Sequence, residues 1–168
     1  CMNPIRIDPQ KALDEVLQFN RKLAAGFKTL RELDDVDYGV TEKEEVYRED
    51  KLVLYRFKGS DRPTAKTPLL IAYALVNRPY MVDLQGDRSL VKNLLAQGED
   101  VYLIDWGYPD QSDRYLTLDD YINGYIRRCV EVVAKRHKVE KINLLGICQG
   151  GAFSLCFASI YPHKIRNL

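Results

Sequence analysis

The stretch LLGICQGGAF, residues 144–153, decides the fold. It has the outline of a G-x-S-x-G nucleophile motif, with a cysteine, Cys148, where the serine would stand. KINLL before it reads as a short apolar strand, and GAFSLCFASIY after it reads as a helix. A strand running straight into a helix through this pattern turns sharply and lifts the middle side chain above the sheet edge. Gly146 and Gly150 suit that turn, because a Cβ at either position would crowd it. Two other readings compete. One is a buried thiol in a glycine-rich turn of a different doubly wound fold. The other is a phosphate-cradling loop, but GICQGG has neither the G-x-G-x-x-G order nor a following Lys-Ser/Thr.

Outward from the elbow, apolar strands alternate with amphipathic helices from Leu69 onward. That is the pattern of an α/β fold with a mostly parallel sheet and helices on both faces. The strands are LLIAYA, VYLID and INLLG. One helix is predicted to start near Ser89 and stop at Gly98. A second opens at a capping-box-like pair, Thr117 and Asp120, and turns Tyr121, Ile122, Tyr125, Cys129 and Val133 inward. Toward the N-terminus, Asp8 and Pro9 suit the start of a helix with Leu13, Val16, Leu17, Leu23, Phe27 and Leu30 at helical spacing, ending in RELDDVD. EEVYRED and KLVLYRF then read as two strands around a charged turn, and GSDRPTAKTP as a loop. One domain is expected: a helix-and-hairpin segment, 1–62, then the first parallel β/α units with the elbow, 63–168.

Composition excludes several classes of function. The 25 basic and 24 acidic residues are interspersed, so no basic stripe marks a nucleic-acid partner. The longest apolar run, LLIAYALV, is far short of the roughly 20 residues a membrane span needs. The polar start CMNPIRIDPQ does not resemble a secretory signal, which points to the cytoplasm. Cysteines at 1, 129, 148 and 156 have no spacing that suggests a metal site, so no metal is expected. Cys1, ahead of Met2, resembles a processing remnant and is given no role, and Cys129 reads as a packed core thiol.

At the start of the last helix, Cys148 faces free N–H groups and the positive end of the helix dipole, which favour negative charge there. The backbone N–H of Gln149 is placed for an oxyanion, and a second donor is expected from the loop after the first parallel strand. That loop is LVNRPY, with Val76 the candidate and Leu75 the alternative. A thiol exchanges one thioester for another at little cost in free energy, so the acyl-enzyme stays reactive. A cysteine elbow therefore suits transfer to an acceptor other than water.

YALVNRPY, DVYLIDWGYPD and GICQGG together resemble the catalytic subunit of class III polyhydroxyalkanoate synthases, and the likeness runs from NPIRIDP through the whole chain. The resemblance implies an α/β-hydrolase fold and polymerisation of (R)-3-hydroxyacyl groups, chiefly 3-hydroxybutyryl, from coenzyme A thioesters. It implies a covalent thioester on Cys148, with no cofactor beyond the coenzyme A of the substrate. It further implies work at the surface of cytoplasmic polyester granules, a homodimer and a second synthase subunit.

In the hydrolase pattern the acid and the histidine follow the nucleophile. Only His163 does so here, and a helix of about 12 residues would carry it roughly 18 Å from the elbow. His137 precedes the strand leading to Cys148, so both histidines are read as surface residues at helix ends. Asp105, at the end of VYLID, is read as a loop anchor. The catalytic Asp and His of the family therefore have no counterpart, and the chain is expected to be inactive without the missing C-terminal half of the domain, whether lost or carried by another chain. The stretch through Phe57 is expected to supply packing or partner contacts and no catalytic group. Two alternatives stand beside the synthase: a cysteine-dependent thioesterase or other acyltransferase of this fold, and a non-catalytic interaction module.

Overall fold

The computed structural model describes residues 10, 14–23, 39–59 and 62–168. The chain divides into two compact units, Cys1–Val36 and Asp37–Leu168. In the first, residues 14–23 are helical, as the spacing of Val16, Leu17 and Leu23 predicts. Asp8, Pro9, Leu13, Phe27, Leu30 and the stretch 31–37 lie outside the described residues.

The second unit is built on a six-stranded sheet. Its strands are β1 (Lys43–Glu49), β2 (Leu52–Phe57), β3 (Leu69–Ala72), β6 (Val101–Asp105), β7 (Ile142–Gly146) and β8 (Ile165–Asn167), in the order β1-β2-β6-β3-β7-β8. The last four are parallel, and β2 joins β6 antiparallel, so the hairpin extends the parallel sheet. Residues 165–167, at the IRNL end of the sequence, form β8 against β7. A separate ribbon, β4 (Asp83–Gln85) with β5 (Arg88–Ser89), precedes the first α-helix of this unit and is not marked by any sequence pattern.

Strand alternation explains the two cores. Leu70, Ala72, Tyr102 and Ile104 face one way, covered by Ile126, by Cys129 and Val133 of α2 (Arg127–His137) and by Phe153 and Phe157 of α3 (Gln149–Ile160). Leu69, Ile71, Val101 and Leu103 face the other way, under α1 (Leu90–Ala96) with Val91. Ser89 caps α1 by accepting the Lys92 N–H at 2.9 Å. The chain leaves β3 toward β6 on one side and then returns past it to β7 on the other. With crossovers of one hand, that reversal puts the intervening helices on opposite faces and opens a crevice at the carboxyl end of β3.

Thr117 and Asp120 exchange hydrogen bonds as a capping pair, at 2.7 and 3.4 Å. The helix they open differs from the expectation in pitch: Asp120–Ile126 is a π-helix, and regular α-geometry begins only at Arg127. Propensity does not separate the two pitches. From this turn Tyr125 bonds Asp50 and Tyr121 packs edge-on against Trp106.

Candidate active site

Parallel register sets Ala72 of β3 beside Gly146 of β7, so the two strands end level and their following loops meet. The elbow is drawn against the end of β3 by a hydrogen bond from the Ile147 N–H to the Ala72 carbonyl, 3.0 Å. That approach explains both glycines. A Cβ on Gly150 would lie 2.1 Å from the Ala72 oxygen, and one on Gly146 would lie 2.5 Å from the Gly151 Cα. Cys148 sits at the apex with φ 58° and ψ −127°, a conformation that L-residues avoid and that a nucleophile elbow imposes. Its side chain is exposed at the carboxyl edge of the sheet.

The N–H groups of Gly150 and Gly151 donate within the turn, to Ile147 and Cys148 carbonyls at 3.0 and 2.9 Å. Among the described residues neither the Gln149 N–H nor the Val76 N–H takes part in the backbone bonds of the turns and loops. Leu75, the alternative donor, is engaged: its N–H donates to Gln149 Oε1 at 3.1 Å. Val76 is 80 % exposed.

The loop after β3 is fixed on both sides of Val76. Trp106 Nε1 donates to the Tyr73 carbonyl at 3.0 Å. Arg78 donates to the Gly107 carbonyl at 3.0 Å, lies 3.5 Å from Asp105 Oδ1 and stacks 3.7 Å over the Tyr108 ring. Asp105 also accepts the Gly107 N–H at 2.9 Å. The carboxylate thus ties down the turn after β6 and, through Arg78, the loop after β3.

Beside the elbow lies a mostly apolar cavity of about 230 Å³. Leu75, Val76 and Gln149 border it on the elbow side, with Trp106, Leu116 and Tyr121 among its apolar walls. Asp50, Lys51 and Leu52, from the hairpin turn, close part of it. The segment through Phe57 thus packs along the wall of the cavity. Lys51 pairs with Asp110 at 2.7 Å and with Asp113 at 2.5 Å, and it holds the Asp110 carboxyl well below the usual range. Tyr125 donates to Asp50 at 2.7 Å, and burial together with that carboxylate pushes its phenol well up. No sequence spacing connects residues 50–52 to Gln149. The apolar run of β2 and the positive φ of Asp50 mark a hairpin turn, but not what the turn covers.

Neither histidine is near. His137 closes α2, where its Nε2 lies 2.8 Å from the Tyr102 hydroxyl and 3.5 Å from Asp100. Asp100 precedes β6, so this cluster sits at the opposite edge of the sheet, one strand of about 16 Å from the elbow side. His137 is half-buried rather than a free surface residue, and it packs beside the partly buried Arg56 and the buried Asp100, which pair through two bonds of 2.8 Å. Burial holds its pKa below the ordinary value. His163 follows α3 and packs edge-on against Tyr161, a helix length away from Cys148. Cys129 is fully buried, and desolvation drives its thiol far up. Among the described residues no cluster of three or more His, Cys, Asp and Glu side chains is placed to hold a metal, and no helix is long and apolar enough to cross a membrane.

A family model described as the alpha/beta hydrolase fold matches residues 67–168, from the first parallel strand through the elbow to β8. The chain belongs to the α/β-hydrolase fold family. Within that family it is homologous to the poly(3-hydroxyalkanoate) polymerase subunit PhaC. It is 59 % identical to the subunit of Allochromatium vinosum over 172 residues, covering 99 % of this chain and 48 % of the relative. To the Synechocystis subunit it is 55 % identical over 161 residues, covering 95 % and 43 %. The chain therefore spans about half the length of these curated relatives. Two solved α/β-hydrolase structures share the fold. A protein of Acinetobacter baumannii assigned as a lipase superposes with a TM-score of 0.52 at 17 % identity, over 98 % of this chain and 46 % of its own. The thioesterase domain of the curacin biosynthetic pathway gives 0.50 at 18 % identity, over 74 % and 42 %.

Proposed function

We propose that this chain is the nucleophile-bearing part of a polyhydroxyalkanoate synthase of the class III type, an acyltransferase that carries (R)-3-hydroxyacyl groups on Cys148. The observation that carries the reading is a cysteine, not a serine, at the strained apex of the elbow, exposed beside an apolar cavity. In the reaction the Cys148 sulfur attacks the thioester carbon of 3-hydroxyacyl-CoA and its proton passes to a base. The Gln149 and Val76 N–H groups face the oxyanion. Collapse breaks the bond to coenzyme A, whose thiolate takes the proton. The hydroxyl of a second 3-hydroxyacyl group then attacks the acyl-enzyme; an oxygen ester forms, the carbon–sulfur bond breaks and the hydroxyl proton returns to sulfur. Energetically the first exchange is nearly level and the second runs downhill from thioester to ester, which favours chain growth.

Neither histidine is placed to serve as that base, since His137 and His163 both stand at the far edge of the sheet. The proposal extends to the partners and place of the family: a second synthase subunit, a homodimer, and the surface of cytoplasmic polyester granules. The test supplies 3-hydroxybutyryl-CoA to a form of the protein that spans the length of its relatives. Polymer with coenzyme A release supports the synthase. Free 3-hydroxybutyrate would make the protein a thioesterase, and no turnover would leave a binding module.

A further inference from the structure

The bond between Gln149 and Leu75 joins residues 74 positions apart, and it links the two segments that supply the proposed oxyanion donors. We infer that the Gln149 side chain is a positioning residue: by holding the Leu75 N–H it sets the Val76 N–H opposite the Gln149 N–H above Cys148. The inference rests on the acyl-transfer reading of Cys148 and adds to it a role that the glycine and cysteine pattern of the elbow does not contain.

Successive backbone groups of the loop after β3 are each held by a different partner. The Ala72 carbonyl accepts from Ile147 N–H, the Tyr73 carbonyl from Trp106 Nε1, and the Leu75 N–H is held by Gln149 Oε1. Arg78 is the next anchor, on Gly107 and Asp105. Only Val76 and Asn77 hang between the Leu75 and Arg78 anchors, and both are exposed. Gln149 Oε1 occupies the Leu75 N–H, so within this brace the Val76 N–H is the donor of the loop left for substrate. Without the brace, the loop between Trp106 and Arg78 gains freedom where an oxyanion hole needs fixed donors. Preorganised donors work because they do not have to reorganise when charge develops.

One residue thus contributes twice. Its main chain offers a donor at the start of α3, and its side chain orients the partner donor across the crevice. The contribution is specific to the step in which charge develops on the thioester oxygen. With an alkylating reagent the Cys148 sulfur displaces a halide from carbon and no oxyanion forms, so that reaction is indifferent to the brace.

The experiment compares Gln149→Met, which keeps the length and loses the acceptor oxygen, with the unsubstituted protein in a form spanning the length of its relatives. Gln149→Ala serves as a second variant should methionine repack. Three quantities are read: kcat and KM for coenzyme A release from 3-hydroxybutyryl-CoA, and the rate of Cys148 alkylation by iodoacetamide. The expected result is a fall in kcat of about tenfold, the rate equivalent of one lost hydrogen bond. KM and the alkylation rate stay within about twofold. Unchanged kcat in both variants overturns the brace. Equal losses of turnover and alkylation overturn it as well, since they mean that the elbow itself has collapsed. A raised KM at constant kcat would assign Gln149 to substrate binding instead. None of these outcomes is confused with failure of the acyl-transfer reading, which would show as no acylation of Cys148 in the unsubstituted protein.

Discussion

Gly150 and Ala72 approach so closely that a Cβ on the glycine would stand 2.1 Å from the Ala72 carbonyl oxygen and 2.6 Å from the Tyr73 oxygen. Both obstacles are backbone atoms of the central strand and the loop that follows it, so nothing can swing aside. Gly150→Ala is therefore expected to destabilise the fold by at least about 3 kcal/mol, the upper end of ordinary overpacking. Gly151→Ala is the control: its nearest neighbour would be the Gly146 oxygen at 3.4 Å, ordinary contact. Urea titration of the two variants checks the contrast. Equal midpoints would show that the elbow is not seated against β3 as described.

The cavity gives a specificity prediction. Leu116 lines it together with Trp106 and Tyr121. Leu116→Trp should narrow it, lowering kcat/KM for six-carbon 3-hydroxyacyl-CoA by about tenfold or more relative to the four-carbon substrate, the discrimination that one or two methylenes allow. Competition between the two thioesters measures the ratio. An unchanged ratio would place the acyl group elsewhere.

His137 supplies a dependence of stability on pH. Burial lowers its pKa below the unfolded value of about 6.5, so the folded state favours the neutral ring. Its contribution is complete above about pH 6.5 and is lost as the pH falls through the folded-state value. Asp100 opposes the shift, while Arg56 and Arg136 reinforce it. In His137→Asn the fall of Tm from pH 7 to pH 5 should be shallower than in the unsubstituted protein. Thermal melts across that range decide it, and parallel curves would contradict the assignment.

How far the sequence carried this account can be seen residue by residue. The strands and elbow are legible because buried strands read as short apolar runs and because a glycine two residues either side of Cys148 has a steric reason. Ser89 and the Thr117–Asp120 pair are legible as caps, since capping is local chemistry. The walls of the cavity are not. Lys51, Leu116 and Gln149 meet only through the sheet order, and no periodicity encodes a contact between a hairpin turn and an elbow some hundred residues later. The ribbon β4–β5 is not legible for a similar reason. Its strands are three and two residues long, and Asp83 is held there by Thr41 and Ser89 rather than by an alternating pattern.

The position of the histidines predicts the behaviour of the 168-residue chain alone. A general base is worth typically 10² to 10⁴-fold, and neither ring reaches Cys148. Acyl-CoA should acylate this chain slowly and at most once, without turnover. Coenzyme A release measured against protein concentration tests this. Many equivalents released would mean that a base has been misplaced, with His163 the first to re-examine.

Acyl transfer through Cys148 is tested most directly by peptide mass analysis. A form of the protein spanning the length of its relatives is mixed briefly with 3-hydroxybutyryl-CoA, quenched in acid and digested. The account predicts the mass of 3-hydroxybutyryl, or of a short oligomer of it, on the peptide that contains Cys148. It predicts none on those with Cys129 or Cys156, and none anywhere in Cys148→Ala. Acyl mass on another residue, or undiminished polymer from folded Cys148→Ala protein, would contradict it.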